Sequence, residues 1–466
     1  MEKAILSKSS FIRGLQCLKS LYLHKKRPFL RDKLSAAQLN KFDRGHEVGL
    51  LAQKMFPGGE DCSPASPSAF RKSVEKTLAL MENKFPVLYE ATLLADEVLI
   101  MADILVWNGV TYDMYEVKSS LKISQTYLYD VALQYLVMQR AGLNPGAAHI
   151  VHINPDYLYE GGEIDPLRFF RVVNVTQDAL ALQDQVKTTL EVEKQVLSTE
   201  GSPDIPIGPW CFSPYPCDFM GHCWKNEPSD SVARLESVSP EERFQWKKLG
   251  IKTWADLENM DLQNIMLTAE VQARSSGRPF VNPQRLAENL NLIANASLSF
   301  ILAAENAIPQ IPMTHPFDPV PIAWGFSKNP SRATVWISTE TNSIEMKQIG
   351  FLESGLKDEM VIVTWGSRAV KILQRLFPET SIVDLNNWLW SDFLYFPWTK
   401  INADPLSFAV KAGLIQATTE RFTMEDVLRK HYKGQQVSDK QLNNYISTQL
   451  DAMHLIITLL QKITIQ

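Results

Sequence analysis

The chain has 466 residues, of which 45% are hydrophobic and 21% charged, and its formal net charge is −5. This is an ordinary globular composition for two or three domains, and the net charge gives no overall case for binding nucleic acid. The sequence has no apolar run near ~18 residues, which predicts a chain without a membrane span. It also shows neither the apolar core of a signal peptide nor a disulfide framework, which predicts a cytoplasmic protein.

Charge is distributed unevenly along the chain. Residues 1–44 contain eleven Lys or Arg against three Asp or Glu, a local excess of +8. Such a segment could face a phosphate backbone. A solvated basic helix would look the same in the sequence, and charge alone does not separate the two interpretations.

The N-terminal half predicts an α/β domain on a small mixed sheet. Helical spacing predicts helices over residues 6–27, 36–56 and 70–83, the first ending before Pro28. Three strands follow over residues 87–95, 97–107 and 111–120, with Asn108-Gly109 as a tight hairpin turn between the last two. A helix over 126–142, a strand over 147–153 and a long amphipathic helix over 176–197 complete the pattern.

The pattern changes after Cys223. Residues 239–260 predict two short helices joined by a turn at Gly250. A second α/β pattern begins near Ser297 and closes with a long helix over 439–463. Its strand candidates are residues 298–305, 320–327, 333–339 and 360–365.

The most informative side chains lie in the three-strand region. Asp103 interrupts the apolar run "LIMADILVW", and an acid within such a strand is costly unless it binds a metal or a partner. Glu116 and Lys118 are two residues apart in "YEVKSS", so a strand places both side chains on one face. A hairpin through Asn108-Gly109 would bring Asp103 towards that face.

Two converging carboxylates and a lysine suit a metal-dependent phosphodiesterase. Asp103 and Glu116 would offer hard oxygen ligands to Mg²⁺ or Mn²⁺, with the carbonyl of Val117 as a third. The metal would activate a bound water, and Lys118 would orient that water or stabilise charge developing on phosphorus. A plain surface ion pair between Glu116 and Lys118 is the alternative.

The segments "ADIL" and "YEVKSS" resemble the PD-(D/E)XK nuclease signature in its RecB-like branch. The resemblance implies a restriction-endonuclease-like α/β core, a histidine in an earlier helix and a glutamine in the helix after the last strand. His46 of "DRGHEVG" and Gln134 of "DVALQYLV" match these positions. By resemblance, His46 is a metal ligand and Gln134 steadies the lysine and the DNA or metal site, while Glu90 of "LYEATL" matches an acid with a secondary role.

Three cysteines stand at regular spacing in "CFSPYPCDFMGHC", with five residues between neighbours. A subset of RecB-like nucleases carries an iron–sulfur cluster on one cysteine before the core and three after it. The resemblance therefore implies a [4Fe–4S] cluster on Cys17, Cys211, Cys217 and Cys223. Cys62 is left over as a free thiol.

Zinc at the four cysteines is the competing interpretation. Structural zinc usually uses C-x₂₋₄-C hooks, and the spacing here is longer, although His222 is a further candidate ligand. A cluster would be structural and would tie the basic N-terminal helix to the end of the nuclease domain.

The C-terminal half resembles a ribonuclease-H-like domain related to DEDD exonucleases. The first motif of that family has two acids on its opening strand, whereas "LAAEN" has Ala303 and Glu305. The last helix carries Gln449 where the final acid is expected, with Asp451 two residues away. One carboxylate does not hold two Mg²⁺ ions, so the resemblance implies a catalytically degenerate domain.

These observations predict three segments: a RecB-like nuclease with its cluster over 1–228, a helical linker over 229–290 and the degenerate domain over 291–466. The expected activity is metal-dependent hydrolysis of DNA, single-stranded or end-directed, as in the cluster-bearing AddB subunits and CRISPR-adaptation exonucleases. A helicase or defence-system protein is a candidate partner. An RNA-cleaving or endonucleolytic effector and a non-catalytic nucleic-acid-binding subunit remain as alternatives.

Overall fold

The computed structural model describes residues 5–33, 36–330, 332–337, 355–397, 403–416, 427, 430 and 437–465. Two compact units divide the chain, Met1–Asn226 with Pro312–Pro316 and Glu227–Ile311 with Phe317–Gln466. Both are mixed α/β structures. The segment predicted as a helical linker, residues 229–290, lies within the second unit.

A mixed sheet forms the centre of the first unit. Its main path runs β2-β3-β4-β5-β6-β7, and β1 pairs in parallel with the start of β4. The strands β3, β4 and β5 form an antiparallel meander, and β6 returns parallel to β5. The strands are β1 Leu6–Ser7, β2 Glu60–Asp61, β3 Val87–Ala95, β4 Val98–Trp107, β5 Tyr112–Lys118, β6 Pro145–Ile153 and β7 Phe170–Asn174.

Helices cover this sheet. The crossover helix α5 packs on β3, β4 and β6, and α1 and α8 pack on α5. The helices are α1 Lys8–Gln16, α2 Leu18–Lys26, α3 Ala36–Gln53, α4 Phe70–Glu82, α5 Gln125–Arg140, α6 Pro166–Phe169, α7 Thr176–Ala181, α8 Gln183–Ser198 and α9 Met220–Cys223. Short 3₁₀ turns lie at Pro28–Leu30, Pro67–Ala69 and Pro209–Cys211.

The predicted three-strand meander and its hairpin are confirmed. Gly109 has φ +98, a conformation that glycine adopts without a side-chain clash. The Asn108 side-chain oxygen accepts hydrogen bonds from the backbone N–H groups of Val110 and Thr111, and this closes the turn. The hairpin therefore follows from local sequence.

Two predicted helices are each interrupted. The N-terminal helix breaks at Cys17, whose extended backbone (φ −165, ψ 116) separates α1 from α2. The helix predicted over 176–197 divides at Leu182 into α7 and α8. The first break is the larger departure, because Cys17 closes α1 by donating its N–H to the carbonyl of Arg13 while itself leaving helical geometry.

The second unit is built on a five-stranded sheet of order β11-β10-β9-β12-β13. The strands β9, β10 and β11 are antiparallel neighbours, whereas β12 runs parallel to β9 and β13. Its strands are β8 Phe280–Val281, β9 Ser297–Glu305, β10 Pro319–Ser327, β11 Thr334–Ile337, β12 Val361–Thr364, β13 Ser381–Asp384 and β14 Leu394–Tyr395. The predicted strand over 333–339 extends into residues outside the described ranges.

Helices of the second unit begin with the segment predicted as a linker. They are Pro240–Lys248, Ile265–Ser276, Pro283–Leu292, Ser367–Leu376, Leu385–Trp388, Pro405–Lys411 and Asp439–Ile465, with 3₁₀ turns at Val232–Arg234 and Trp254–Leu257. The predicted closing helix is confirmed, and it packs on β9, β10 and β11. Across the described ranges, no helix is long and apolar enough to cross a membrane.

Glu193 is an exception to the apolar packing of the first unit. It lies on α8 with no exposed surface, and neither carboxyl oxygen has a hydrogen-bond partner among the described residues. Its carboxyl rests against α1 at Gly14, where an added Cβ would lie 2.0 Å from Oε1. Burial raises the pKa of Glu193 to about 9, so the group is neutral at pH 7.

Replacing Glu193 by Met should stabilise the protein, and the gain should grow with pH. The folded carboxyl keeps its proton up to pH about 9, whereas the unfolded chain ionises it near 4.5. The unfolded state therefore loses a proton that the folded state holds, and the free energy of unfolding falls as pH rises through this window. The limit is roughly 1.4 kcal/mol per pH unit, and thermal unfolding of both proteins across the window measures the difference.

Glu191→Met is the matched control, because Glu191 is exposed on the same helix. This variant should keep the pH dependence of the wild type. A Glu193→Met protein whose stability falls with pH as steeply as that of the wild type would contradict a buried, protonated Glu193.

Candidate functional site

Three acidic residues stand side by side on β3, β4 and β5. The ladder pairs on either side of Glu90, and the pair next to Glu116, bring both of these acids beside Asp103. Like charges directly opposite one another destabilise a sheet. This carboxylate row, Glu90, Asp103 and Glu116, therefore requires compensating positive charge or protonation.

Glu116 is the most tightly bound member of the row and is 1% exposed. Its Oε1 accepts a hydrogen bond from Lys118 Nζ at 2.7 Å, and its Oε2 accepts one from Gln134 Nε2 at 2.7 Å. Lys8 Nζ lies 3.1 Å from Oε1 and 3.2 Å from Oε2. The structure thus brings Lys118 and Gln134 to Glu116, as the sequence pattern predicts, and adds Lys8.

Asp103 joins the same cluster from β4. Its Oδ2 accepts a hydrogen bond from the backbone N–H of Val117 at 2.7 Å, and its Oδ1 lies 3.7 Å from Lys8 Nζ. Val117 therefore contacts the site through its N–H group, while a ligand role for its carbonyl stays a prediction. The hydrogen bond fixes one carboxylate oxygen of Asp103 and leaves the other towards the ammonium group.

Asp130 and Lys8 belong to the cluster and were missed in the sequence. Asp130, on α5, forms an ion pair with Lys118 Nζ, which also lies 5.2 Å from the centre of the Tyr127 ring. A signal for Asp130 existed, because it precedes Gln134 by four residues and shares its helix face. Lys8 had no such signal, since it lies 108 residues from Glu116.

The electrostatics of the cluster show an excess of acid. Burial first, and then the charge of Glu116, raises the pKa of Asp103 to about 6. Burial and the charge of Asp103 raise the pKa of Glu90 to about 7, and burial raises that of Asp130. Burial opposes ionisation of Glu116 too, but Lys118 and Lys8 hold its pKa well below the usual range.

Charge counting explains these directions. Four carboxyl groups, Glu90, Asp103, Glu116 and Asp130, share two ammonium groups, Lys8 and Lys118, so full ionisation leaves two uncompensated negative charges. Such charges in a low-dielectric site are relieved by protons or by a bound cation. The deficit equals the charge of one divalent ion.

Glu90 also carries backbone strain. Its φ is +50, a left-handed conformation that non-glycine residues adopt uncommonly. The strained residue interrupts the ladder opposite Asp103, between the pairs Tyr89–Ile104 and Ala91–Ala102. Strain of this kind at an acidic cluster is typical of functional sites.

His46 is exposed on α3. Its ring is not part of any group of three or more His, Cys, Asp or Glu side chains arranged to hold a metal ion within the described ranges. Its metal-ligand role stays a prediction. Asp103, Glu116, Lys118 and Gln134 form the part of the predicted site that the fold brings together.

The four predicted cluster cysteines meet at a second place in the first unit. Cys17, Cys211, Cys217 and Cys223 line one cavity. All are free thiols, and Cys217 Sγ lies 3.5 Å from Ser20 Oγ. The thiols share a cavity without being in a ready coordination geometry.

Polar contacts fix α1 to the cysteine-bearing segment. Arg13 donates to Asp218 Oδ2 at 2.8 Å, and Arg31 pairs with the same carboxylate at 2.6 Å. Gln16 Nε2 donates to the carbonyls of Trp210 and Tyr215, both at 2.7 Å. The N-terminal segment is thereby held against residues 187 to 205 positions away.

The thiols of Cys17, Cys211 and Cys223 are poor nucleophiles in this environment. Burial raises the pKa of Cys17 and of Cys211, and it raises that of Cys223 to about 11. A protonated thiol is neither a good nucleophile nor a good metal ligand until a metal displaces its proton. Catalysis by any of these three thiols as a nucleophile is therefore disfavoured.

Cys62 lies apart from the other cysteines. It is fully buried in the core under the sheet, and its Sγ lies 3.6 Å from the carbonyl of Glu60. It is absent from the cavity that the other four line. Its position agrees with the prediction that it is left over, although it packs as a core residue.

No protein-family model matches the chain, and no curated protein matches its sequence. Among solved structures, the one titled "Crystal structure of SSO0001" is similar over 48% of this chain and 86% of its own, with 14% identity and a TM-score of 0.21. Values this low establish neither a shared fold nor a shared activity.

Cys17→Ser should loosen the N-terminal helix as well as any metal bound at the four cysteines. Cys17 ends α1 and lines the cysteine cavity, so the substitution would remove one ligand of a metal that joined these distant segments. We expect lower metal content by elemental analysis of anaerobically purified protein and faster amide hydrogen exchange in residues 8–16.

Cys62→Ala is the control for this variant. It should keep the metal content and the exchange rates of α1, with only the stability loss of a truncated core residue. Unchanged metal content and unchanged exchange in Cys17→Ser would remove Cys17 from the proposed ligand set.

Proposed function

We propose that the chain is a metal-dependent nuclease that hydrolyses phosphodiester bonds of DNA. The observation that carries the proposal is the convergence of Asp103, Glu116, Lys118 and Gln134 in one buried cluster. When fully ionised, the four carboxyl groups of that cluster exceed its two ammonium groups by two charges. The meander β3-β4-β5, the crossover helix α5 and the parallel strand β6 are consistent with a PD-(D/E)XK core of the RecB-like branch.

The residues present fit Mg²⁺ or Mn²⁺ by their donor chemistry. Asp103 and Glu116 would hold the ion through hard carboxylate oxygens, which the divalent cations prefer. When bound, the ion would supply a water of lowered pKa and would screen the charge of the scissile phosphate. His46 would have to approach from α3 to serve as a further ligand.

Lys118 and Gln134 have roles that follow from their contacts. The pKa of Lys118 is held well above its ordinary value, although burial opposes this, because Glu116 and Asp130 flank the ammonium. A permanently charged Lys118 stabilises negative charge on phosphorus or orients an attacking water, and it is unsuited to act as a general base. Gln134 fixes the second oxygen of Glu116, so the first stays directed at the lysine.

The four cysteines fit a [4Fe–4S] cluster by number and by thiol chemistry, with zinc as the alternative. They line one cavity, and the segments that bear them are also joined by polar contacts and by the apolar cluster of Tyr22, Leu23 and Phe219. Cys17, Cys211, Cys217 and Cys223 would act as the ligands of a structural group. Iron with visible charge-transfer absorbance would support the cluster, and colourless protein with bound zinc would support the alternative.

Single-stranded DNA is the substrate that the surface of the N-terminal segment favours. Phe29 is 80% exposed, and Lys26, Arg27 and Lys33 beside it are exposed as well. Aromatic rings stack on unpaired bases, and basic side chains follow the phosphate backbone. RNA offers the same features, so an RNA-cleaving or endonucleolytic effector remains one alternative. A non-catalytic nucleic-acid-binding subunit is the other. A helicase or a defence-system protein would be the protein partner.

The second unit is proposed to be a catalytically inactive, ribonuclease-H-like domain. A five-stranded sheet with three antiparallel and two parallel strands is consistent with that architecture. At the end of β9, Glu305 pairs with Arg368 at 3.0 Å, while Ala303 stands where a metal-binding acid is expected. Gln449 is buried and accepts the backbone N–H of Leu406, which is a structural role.

Asp103→Asn and Lys118→Met should each abolish cleavage, with rates falling at least about a hundredfold. Asp103→Asn removes a ligand charge, and Lys118→Met removes the ammonium beside the reacting phosphate. Labelled single- and double-stranded DNA and RNA, incubated with anaerobically purified protein and Mg²⁺ or Mn²⁺, provide the measurement.

Asp184→Asn and Lys187→Met serve as matched controls, since they remove the same charges from an exposed ion pair on α8. Both should cleave at the wild-type rate. Equal cleavage by the wild type and both cluster variants would overturn the site assignment, and no cleavage of any substrate by the wild type would favour the non-catalytic alternative.

Phe29→Ala should weaken binding of single-stranded DNA at least about fivefold, because a stacked base contributes roughly 1–3 kcal/mol. Binding of duplex DNA should change little, since its bases are already stacked. Fluorescence anisotropy with Mg²⁺ withheld measures both. Val110→Ala is the control, being an exposed apolar residue at the hairpin tip; an equal loss in both variants would argue against stacking.

A further inference from the structure

Lys8 occupies the space between the two carboxylates that the proposed metal would need. Its Nζ lies 3.1 and 3.2 Å from the two oxygens of Glu116 and 3.7 Å from Asp103 Oδ1. An ammonium that contacts both acids is bound as a counter-ion to the pair. No other positive group in the described part of the chain contacts both Asp103 and Glu116.

Lys8 and Lys118 differ in how they are held. Lys118 pairs with Glu116 and Asp130 and lies next to the Tyr127 ring. One of its two carboxylate partners, Asp130, is not a proposed metal ligand. Among the described residues, the Lys8 ammonium group pairs only with the two proposed ligands, and its side chain extends from the first residue of α1. A long, flexible side chain at a helix start can change its rotamer without moving the helix.

The two cations exclude one another for electrostatic and geometric reasons. A divalent ion binds carboxylate oxygens at about 2.0–2.6 Å, closer than an ammonium group does. An ammonium at its present distance from the same oxygens would lie within a few ångströms of the ion, where the two positive charges repel strongly in a partly buried site. Lys8 must therefore leave the carboxylates when a divalent ion binds.

We propose that Lys8 is a built-in competitor for the divalent cation, which holds the carboxylate pair in the metal-free protein and sets the cation concentration at which the site is filled. The proposal rests on the proposed nuclease function. It assigns to α1 a part in metal selection, because the lysine is delivered by a helix whose far end is Cys17.

The test is the affinity for Mn²⁺, measured by isothermal titration calorimetry on the intact, anaerobically purified protein. Lys8→Met removes the competing charge while keeping an unbranched side chain, so its dissociation constant for Mn²⁺ should be at least about tenfold lower than that of the wild type. Lys8→Gln, which still hydrogen-bonds to carboxylates, should change in the same direction and serves if the first variant fails to fold.

Thermal unfolding gives a second readout that does not depend on cleavage. Without metal, Lys8→Met should unfold at a lower temperature than the wild type, because two carboxylates lose their counter-ion. Saturating Mn²⁺ should raise the midpoint of the variant by more than that of the wild type. Lys72→Met is the control, since it removes an exposed lysine on α4 of the same unit and should leave both readouts unchanged.

The outcomes separate this inference from the nuclease proposal. Tighter Mn²⁺ binding in the Lys8 variants, with Lys72→Met unchanged, supports the competitor role. Equal or weaker binding in Lys8→Met, beside a wild type that binds Mn²⁺, overturns the competitor role and leaves the nuclease proposal standing. Failure of the wild type and of all variants to bind Mn²⁺ overturns both.

Discussion

Three acidic residues on adjacent strands, Glu90, Asp103 and Glu116, impose the constraint that organises the first unit. Like charges on adjacent strands destabilise a sheet in a partly buried environment. Each carboxylate therefore needs a proton, an ammonium group or a metal ion to neutralise its charge. The neighbouring groups supply this in different ways. Glu116 is held ionised between two lysines, whereas burial and crowding raise the pKa of the other two acids.

The N-terminal segment supplies part of the positive charge that these carboxylates need. Strand β1 pairs with β4, and α1 then presents Lys8 to the carboxylates at its start and Cys17 to the cysteine cavity at its end. Arg13 and Gln16 hold the same helix to the segment that bears the other three cysteines. One helix of nine residues thus contacts the carboxylate cluster at its start and leads into the cysteine cavity at its end.

The tight packing of α8 against α1 buries the carboxyl group of Glu193, which is unfavourable. Its carboxyl rests on Gly14 without a partner in the described part of the chain, and burial keeps it protonated. An unpaired buried acid is tolerated because neutralisation is cheaper than burying its charge. The close approach of α8 to α1 leaves room for it only because Gly14 lacks a side chain.

The sequence by itself determined the elements and pairings that depend on near neighbours. The apolar runs and the Asn108-Gly109 turn defined the meander, and the two-residue spacing of Glu116 and Lys118 set their contact, because turn chemistry and strand alternation act within a few residues. Tertiary packing decided the break at Cys17 and the arrival of Lys8 at a carboxylate 108 residues away. These outcomes depend on which charged groups and segments meet through space and on how deeply they are buried, and a linear pattern does not encode either quantity.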